Sequence, residues 1–224
     1  MIPLVHLDTA TVPGGGELRL MRRGDAFSIW AGRVALMNSR MSSSETALAE
    51  IACERLRGRK ASRVLIGGYG MGFTLRAALA GLDADAHITV AELVPTILAW
   101  ARGPMAELTA GCLDDPRVST LEADVGGVIA GVRAGFDAIL LDVDNGPAGL
   151  SRGANDTLYG LKGLQAARKA LWPGGLLAIW SAAPDAAFTA RLARAGFAVD
   201  EIKVRANKGR GLRHVIWVGT WSRR

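Results

Sequence analysis

Hydrophobic and polar positions change their period twice along the chain. From Glu17 to Arg22 they alternate, which marks a strand with two unlike faces. Arg23-Gly24-Asp25 signals a turn, and Ala26–Trp30 and Arg33–Met37 follow on either side of Ala31-Gly32. The pattern predicts a small antiparallel unit of about three strands. A turn-rich lead-in ending in Val12-Pro13-Gly14-Gly15-Gly16 precedes it. At Ser43 the period lengthens. Ala47, Leu48, Ile51, Ala52 and Leu56 fall on one face of a helix running through Arg57. Ser44 is placed to cap its start and Gly58 to stop it.

From Arg63 onward, short apolar runs alternate with helical periods. The runs Arg63–Ile66, His87–Ala91, Arg117–Leu121, Phe136–Leu141 and Leu176–Trp180 predict strands. Helices are expected over Phe73–Ala80, Val94–Glu107, Gly126–Ala134, Asp156–Leu171 and Asp185–Ala195. Strands with little polar alternation are buried on both faces, as in a parallel sheet covered by helices. Ala198–Val204 and His214–Trp221 read as two more strands. The segment between them, Ala206 to Gly211, is too short for a crossover helix, so they are antiparallel neighbours. The expected architecture is α/β: a doubly wound, mostly parallel seven-stranded sheet closed by an antiparallel hairpin. Residues 1–42 form the small β unit and residues 43–224 the main domain.

Composition narrows the function classes. Glycine supplies 28 of 224 residues, well above the usual ~7%, without the three-residue period of collagen. The net charge of +6 favours anionic partners. A solvated basic surface accounts for it more simply than nucleic-acid binding, because no aromatic platform interleaves Lys203, Arg205, Lys208, Arg210 and Arg213. Two cysteines and three unclustered histidines predict neither a disulfide framework nor a metal site. The longest apolar run, Leu176–Ala183, is far short of a ~20-residue membrane span. No signal peptide is expected from the first residues, so the reading is cytoplasmic.

The glycines that suggest chemistry are Gly67-Gly68-Tyr69-Gly70-Met71-Gly72, after the first parallel strand and at a helix start. Ligands of open parallel sheets bind beyond the carboxyl ends of the strands. Glycine lets the backbone approach a nucleotide-type cofactor closely there. The dinucleotide pattern G-x-G-x-x-G is not met, since Phe73 fills the third-glycine slot. Glu92 ends the second strand, and its two carboxylate oxygens suit the two hydroxyls of a ribose.

These motifs resemble class I S-adenosylmethionine-dependent methyltransferases over roughly residues 60–221. The agreeing segments are Val64–Gly72, Val90-Ala91-Glu92, Glu122-Ala123-Asp124, Leu171-Trp172-Pro173-Gly174-Gly175 and the closing hairpin. The resemblance implies a Rossmann-like domain that binds S-adenosylmethionine, or its decarboxylated form. Gly68, Tyr69, Gly70, Gly72, Glu92, Leu93 and Asp142 would then hold the cofactor, with Asp124 and Val125 at its adenine. Within that superfamily the chain is most similar to the spermidine synthase branch, which also carries a small N-terminal β unit. Asp115-Pro116-Arg117-Val118 and Phe136–Asp142 match that branch.

In that branch an acidic pair after the fourth strand attracts an amine and takes its proton. Here Asp142-Val143-Asp144-Asn145 stands at that place, with Asn145 in register with the second aspartate. The family's Tyr-His-Glu segment aligns with Ser43-Ser44-Glu45, so Glu45 alone is kept. The resemblance makes Asp142 the catalytic residue and puts Glu45, Asp144, Asn145 and Tyr159 at the acceptor. The leading expectation is a methyltransferase of spermidine-synthase-like build acting on a small-molecule acceptor, and a homodimer. Polyamine aminopropyl transfer is the alternative. A non-catalytic cofactor-binding or assembly protein is the alternative of another class.

Overall fold

The computed structural model describes residues 2–143, 147, 157–207 and 210–222. Its N-terminal sheet is an antiparallel meander of β1 (Val5–Thr11), β2 (Glu17–Arg23), β3 (Ala26–Ala31) and β4 (Val34–Asn38), in that order. The first strand lies where the sequence pattern showed a turn-rich lead-in. Only Ala10 of its seven residues is buried, so it carries too little apolar alternation to read as a strand. Positive φ at Gly14, Gly15 and Gly16 turns the chain from β1 into β2.

Helix α1 (Ser43–Leu56) leads into β5 (Arg63–Gly67), α2 (Phe73–Gly81), β6 (His87–Glu92), α3 (Pro95–Arg102) and α4 (Ala106–Thr109). Then come β7 (Val118–Glu122), α5 (Val125–Ala130), β8 (Phe136–Leu141), α6 (Leu161–Ala170), β9 (Leu171–Ser181) and α7 (Ala186–Arg194). The hairpin β10 (Ala198–Asn207) and β11 (Arg210–Thr220) closes the chain. The seven-stranded sheet has the order β10-β11-β9-β8-β5-β6-β7, and only β11 runs against the rest. The mostly parallel α/β architecture is therefore the expected one.

Alternate residues of the central strands feed two cores. Val64, Ile66, Val90, Ala138 and Leu140 face α1–α3 and the small sheet. Leu65, Ile139, Leu141, Leu177 and Trp217 face α5–α7. Trp100, buried on α3, donates its indole N–H to Asp8 Oδ2 at 2.7 Å and so ties β1 to the larger unit. That bond lowers the Asp8 pKa.

Local differences from the sequence reading have physical causes. The helix expected over Val94–Glu107 is broken into α3 and α4 at Gly103, which precedes Pro104 and so avoids helical backbone. Strand β9 starts at Leu171, five residues early, and the hairpin absorbs part of the expected loop. Ser44 is not the α1 cap. Ser42 holds that position without a side-chain bond, and Ser44 is buried and turned inward. No helix among the described residues is long and apolar enough to cross a membrane.

Candidate functional site

The site is built where the carboxyl ends of β5, β6 and β8 meet. Gly68 N–H donates to Ala91 O at 2.9 Å and Asp142 N–H to Gly67 O at 3.0 Å, which stitches the three strand ends together. Gly68 has φ +83, and a Cβ there would stand 2.6 Å from the Asp142 carbonyl oxygen. Only glycine lets the loop cross β8 at this height. Glu92, 5% exposed at the end of β6, accepts from Tyr69 N–H through Oε2 and from Val94 N–H through Oε1, both at 2.8 Å. Burial raises its pKa, and these backbone donors work against the shift.

A cleft of about 420 Å³ opens over these strand ends. Gly68, Gly70, Glu92, Leu93, Asp124, Val125 and Asp142 line it. The small sheet roofs it with Gly15, Gly16, Glu17, Leu18, Leu36 and Met37. Asp124 caps α5 by accepting Gly126 N–H on Oδ1 at 2.9 Å, and its Oδ2 has no hydrogen-bond partner among the described residues. A roomier depression of about 670 Å³ lies between α1 and α2. It reaches neither the glycine loop nor Asp142 and mixes charges of both signs, so it does not share this chemistry.

Beneath the cleft is an inner pocket of about 40 Å³. It shares Leu36, Met37, Gly70 and Asp142 with the cleft and adds Glu45, Phe73 and Trp180. Asp142 thus stands at the junction of the two cavities. Its Oδ2 accepts the Thr74 hydroxyl at 2.9 Å. Protein crowds this half-buried carboxylate, and Glu45 adds a like charge, so its pKa rises to about 7. Burial also raises the pKa of Glu45, while the Ser44 hydroxyl on its Oε2 pulls it back. Two carboxylates with one proton between them can attract a cation and accept a proton near neutrality.

The same architecture recurs in solved structures. A spermidine synthase in complex with the transition-state analogue AdoDATO superimposes with a TM-score of 0.75 at 16% identity, covering 96% of this chain and 72% of that one. The spermidine synthase from Thermotoga maritima gives 0.76 at the same identity and coverage. The chain is spermidine synthase-like in fold. Among curated proteins, this spermidine synthase-like chain is 33% identical to polyamine aminopropyltransferase 1 of Streptomyces coelicolor over 126 residues, 55% of its own length. It is 31% identical to the polyamine aminopropyltransferase of Mycobacterium tuberculosis over 172 residues, 72% of its length. These matches span 23% and 30% of the two relatives, so the matched segments correspond to less than a third of either. No family model matches the chain.

Within this spermidine synthase-like fold, the site residues expected from sequence fall into three groups. Gly68, Gly70, Glu92, Leu93, Asp124, Val125 and Asp142 line the cleft, and Glu45 lines the inner pocket. Tyr69 also lines the inner pocket, but its hydroxyl is 3.4 Å from Cys112 Sγ. Gly72 supports the Tyr69 ring rather than either cavity: a Cβ there would be 2.7 Å from the tyrosine hydroxyl. Tyr159 was expected at the acceptor pocket. It lies in the core, edge-on to Phe188 at 5.9 Å, and donates to Val143 O at 3.4 Å. Asp144 and Asn145 lie outside the described residues. Sequence reading missed Met37, Thr74, Trp180 and the Gly15-Gly16 roof. The glycine run was a visible signal, but nothing local tied it to β5.

Proposed function

We propose that the chain transfers an aminopropyl group from decarboxylated S-adenosylmethionine to an amine. The charge inventory of the cleft carries this reading. Glu17, Glu92, Asp124 and Asp142 line it, and no Lys, Arg or His among the described residues does. Such a wall suits a ligand bearing an ammonium and a sulfonium without a carboxylate. Ordinary S-adenosylmethionine adds an anion that no described side chain there offsets. The aminopropyltransferase names of the relatives agree with the choice. Methyl transfer, the leading expectation from sequence, becomes the competing outcome.

The residues fit such a cofactor. The Glu92 carboxylate, which lines the cleft, would accept from the ribose hydroxyls. Asp124 Oδ2 is free to accept from an adenine amino group, with Val125 beside it. Gly68 and Gly70 keep the cleft floor free of side chains. When bound, the group would supply a sulfonium-activated carbon, whose bond to sulfur breaks as the amine nitrogen bonds to it and whose sulfur leaves as a neutral thioether. Glu45 and Asp142 hold an acceptor ammonium between them, and Asp142 takes one proton and frees the nitrogen lone pair. The roof formed by the small sheet limits water at that point. Homodimer formation and a cytoplasmic setting belong to the same proposal.

The test offers a short aliphatic diamine with each form of the cofactor and follows products by mass spectrometry. The proposal expects an aminopropylated diamine from the decarboxylated form. A methylated product from the ordinary form replaces it with methyl transfer. Binding of either form without product assigns a non-catalytic role.

A further inference from the structure

The inner pocket is linked to the closing hairpin through three side chains. His214 on β11 brings its Nδ1 to 3.0 Å from Ser44 Oγ, across 170 positions of sequence. Ser44 Oγ in turn donates to Glu45 Oε2 at 2.6 Å. A hydroxyl has one proton. Ser44 spends that proton on Glu45, so it accepts at the other contact, and His214 Nδ1 carries the hydrogen there. Two donors in series therefore point at Glu45. The Thr74 hydroxyl faces Asp142 Oδ2, and it also lies 3.3 Å from Glu45 O.

The imidazole is held for this task. Its ring meets Trp180, a wall of the inner pocket, edge to face at 4.8 Å. Burial lowers the His214 pKa, so the ring is neutral near pH 7 and its single N–H serves Ser44. The described groups nearest the link come from several elements. Helix α1 brings Glu45, the end of β8 brings Asp142, α2 brings the neutral Thr74 and β9 brings Trp180. On β10, Val204 pairs with His214, and its charged neighbours Lys203 and Arg205 are exposed.

We propose that His214, acting through Ser44, is a positioning residue that keeps Glu45 the anion of the carboxylate pair, so that Asp142 is the member of the pair that takes up a proton. The role follows from hydrogen-bond cooperativity: a hydroxyl that accepts one bond donates a stronger one. Glu45 then stays charged next to Asp142 and supplies the repulsion that makes Asp142 the proton acceptor. The bearing on catalysis rests on the aminopropyl-transfer reading, whereas the link between the side chains does not.

The experiment is a carbon-13 carboxyl titration of the full chain by NMR, with Asp142→Asn used to assign the Asp142 signal. His214→Phe keeps a ring against Trp180 and removes the donor. Ser44→Ala breaks the same link by a small change and serves if the phenylalanine variant does not fold. Both are expected to raise the Glu45 midpoint by about one pH unit, the scale of one lost hydrogen bond. The Asp142 midpoint is expected to fall. His214→Asn places an amide N–H near the Nδ1–H position and is expected to restore the wild-type curve. Midpoints unmoved in both disrupting variants overturn the proposal, as does an asparagine variant that behaves like phenylalanine. If no transfer occurs with any cofactor, the proposed function fails, and these midpoints still decide the role of His214.

Discussion

Glu92 and Asp142 flank the glycine loop on opposite sides of β5, and both carboxylates are raised by burial. They differ in what meets their oxygens. Each oxygen of Glu92 receives a backbone N–H at 2.8 Å. Those donors neither rotate away nor titrate, so they favour a fixed anion. Asp142 receives a threonine hydroxyl and faces a second carboxylate. The contrast teaches that burial alone does not set the role of an acid. The donors around it decide whether it holds a ligand or exchanges a proton.

The largest expected effect breaks the Asp142 side of this comparison. Asp142→Asn is expected to slow turnover by about 100-fold or more, the scale of a lost general base. Calorimetry should find its cofactor affinity within about twofold of wild type. Near-normal turnover would make Asp142 as static as Glu92. On the other side, Glu92→Ala is expected to weaken cofactor binding at least ~10-fold, ~1.4 kcal/mol, for the loss of charge-assisted hydrogen bonds. Unchanged affinity removes Glu92 from the site.

A smaller effect sharpens the difference through pH. Asp142 titrates at about 7 in the folded chain, against 3.8 for an ordinary aspartate. Between those values the folded state holds a proton that the unfolded state has lost. The Asp142 contribution to stability therefore falls as pH rises from about 4 to 7. Urea unfolding at pH 5 and pH 8 should show Asp142→Asn gaining on wild type by about 1 kcal/mol or more over that interval. Parallel stability curves would show that Asp142 is not raised. The smallest change is a control away from both acids. Asp185 caps α7 by accepting Phe188 N–H at 3.0 Å. Asp185→Ala should cost about 1 kcal/mol of stability and leave cofactor affinity alone. If it weakens binding as Glu92→Ala does, affinity losses reflect stability rather than contacts.

The two sides of the site were not equally legible. The glycine loop and Glu92 belong to one strand–turn–helix–strand unit, where neighbours in sequence are neighbours in space. Their places follow from the period of the hydrophobic positions and the carboxyl-end rule. The position of Asp142 after an apolar strand follows in the same way. The inner pocket instead gathers Met37, Glu45 and Trp180, with Thr74 on Asp142 and, through Ser44, His214, from five separate elements. Only the inserted strand β11 brings His214 to α1, and no local pattern announces that meeting. Ser44 was read as a helix cap, which is the commonest use of a serine before an apolar face. The strand β1 was missed because its exposed side chains leave Ala10 as its lone buried residue.

The claim that the acidic cleft is built for a cation without a carboxylate is tested most directly by calorimetric titration with decarboxylated and ordinary S-adenosylmethionine. The account predicts that the decarboxylated form binds at least about tenfold more tightly, ~1.4 kcal/mol. Equal affinity, or a preference for the carboxylated form, would contradict it.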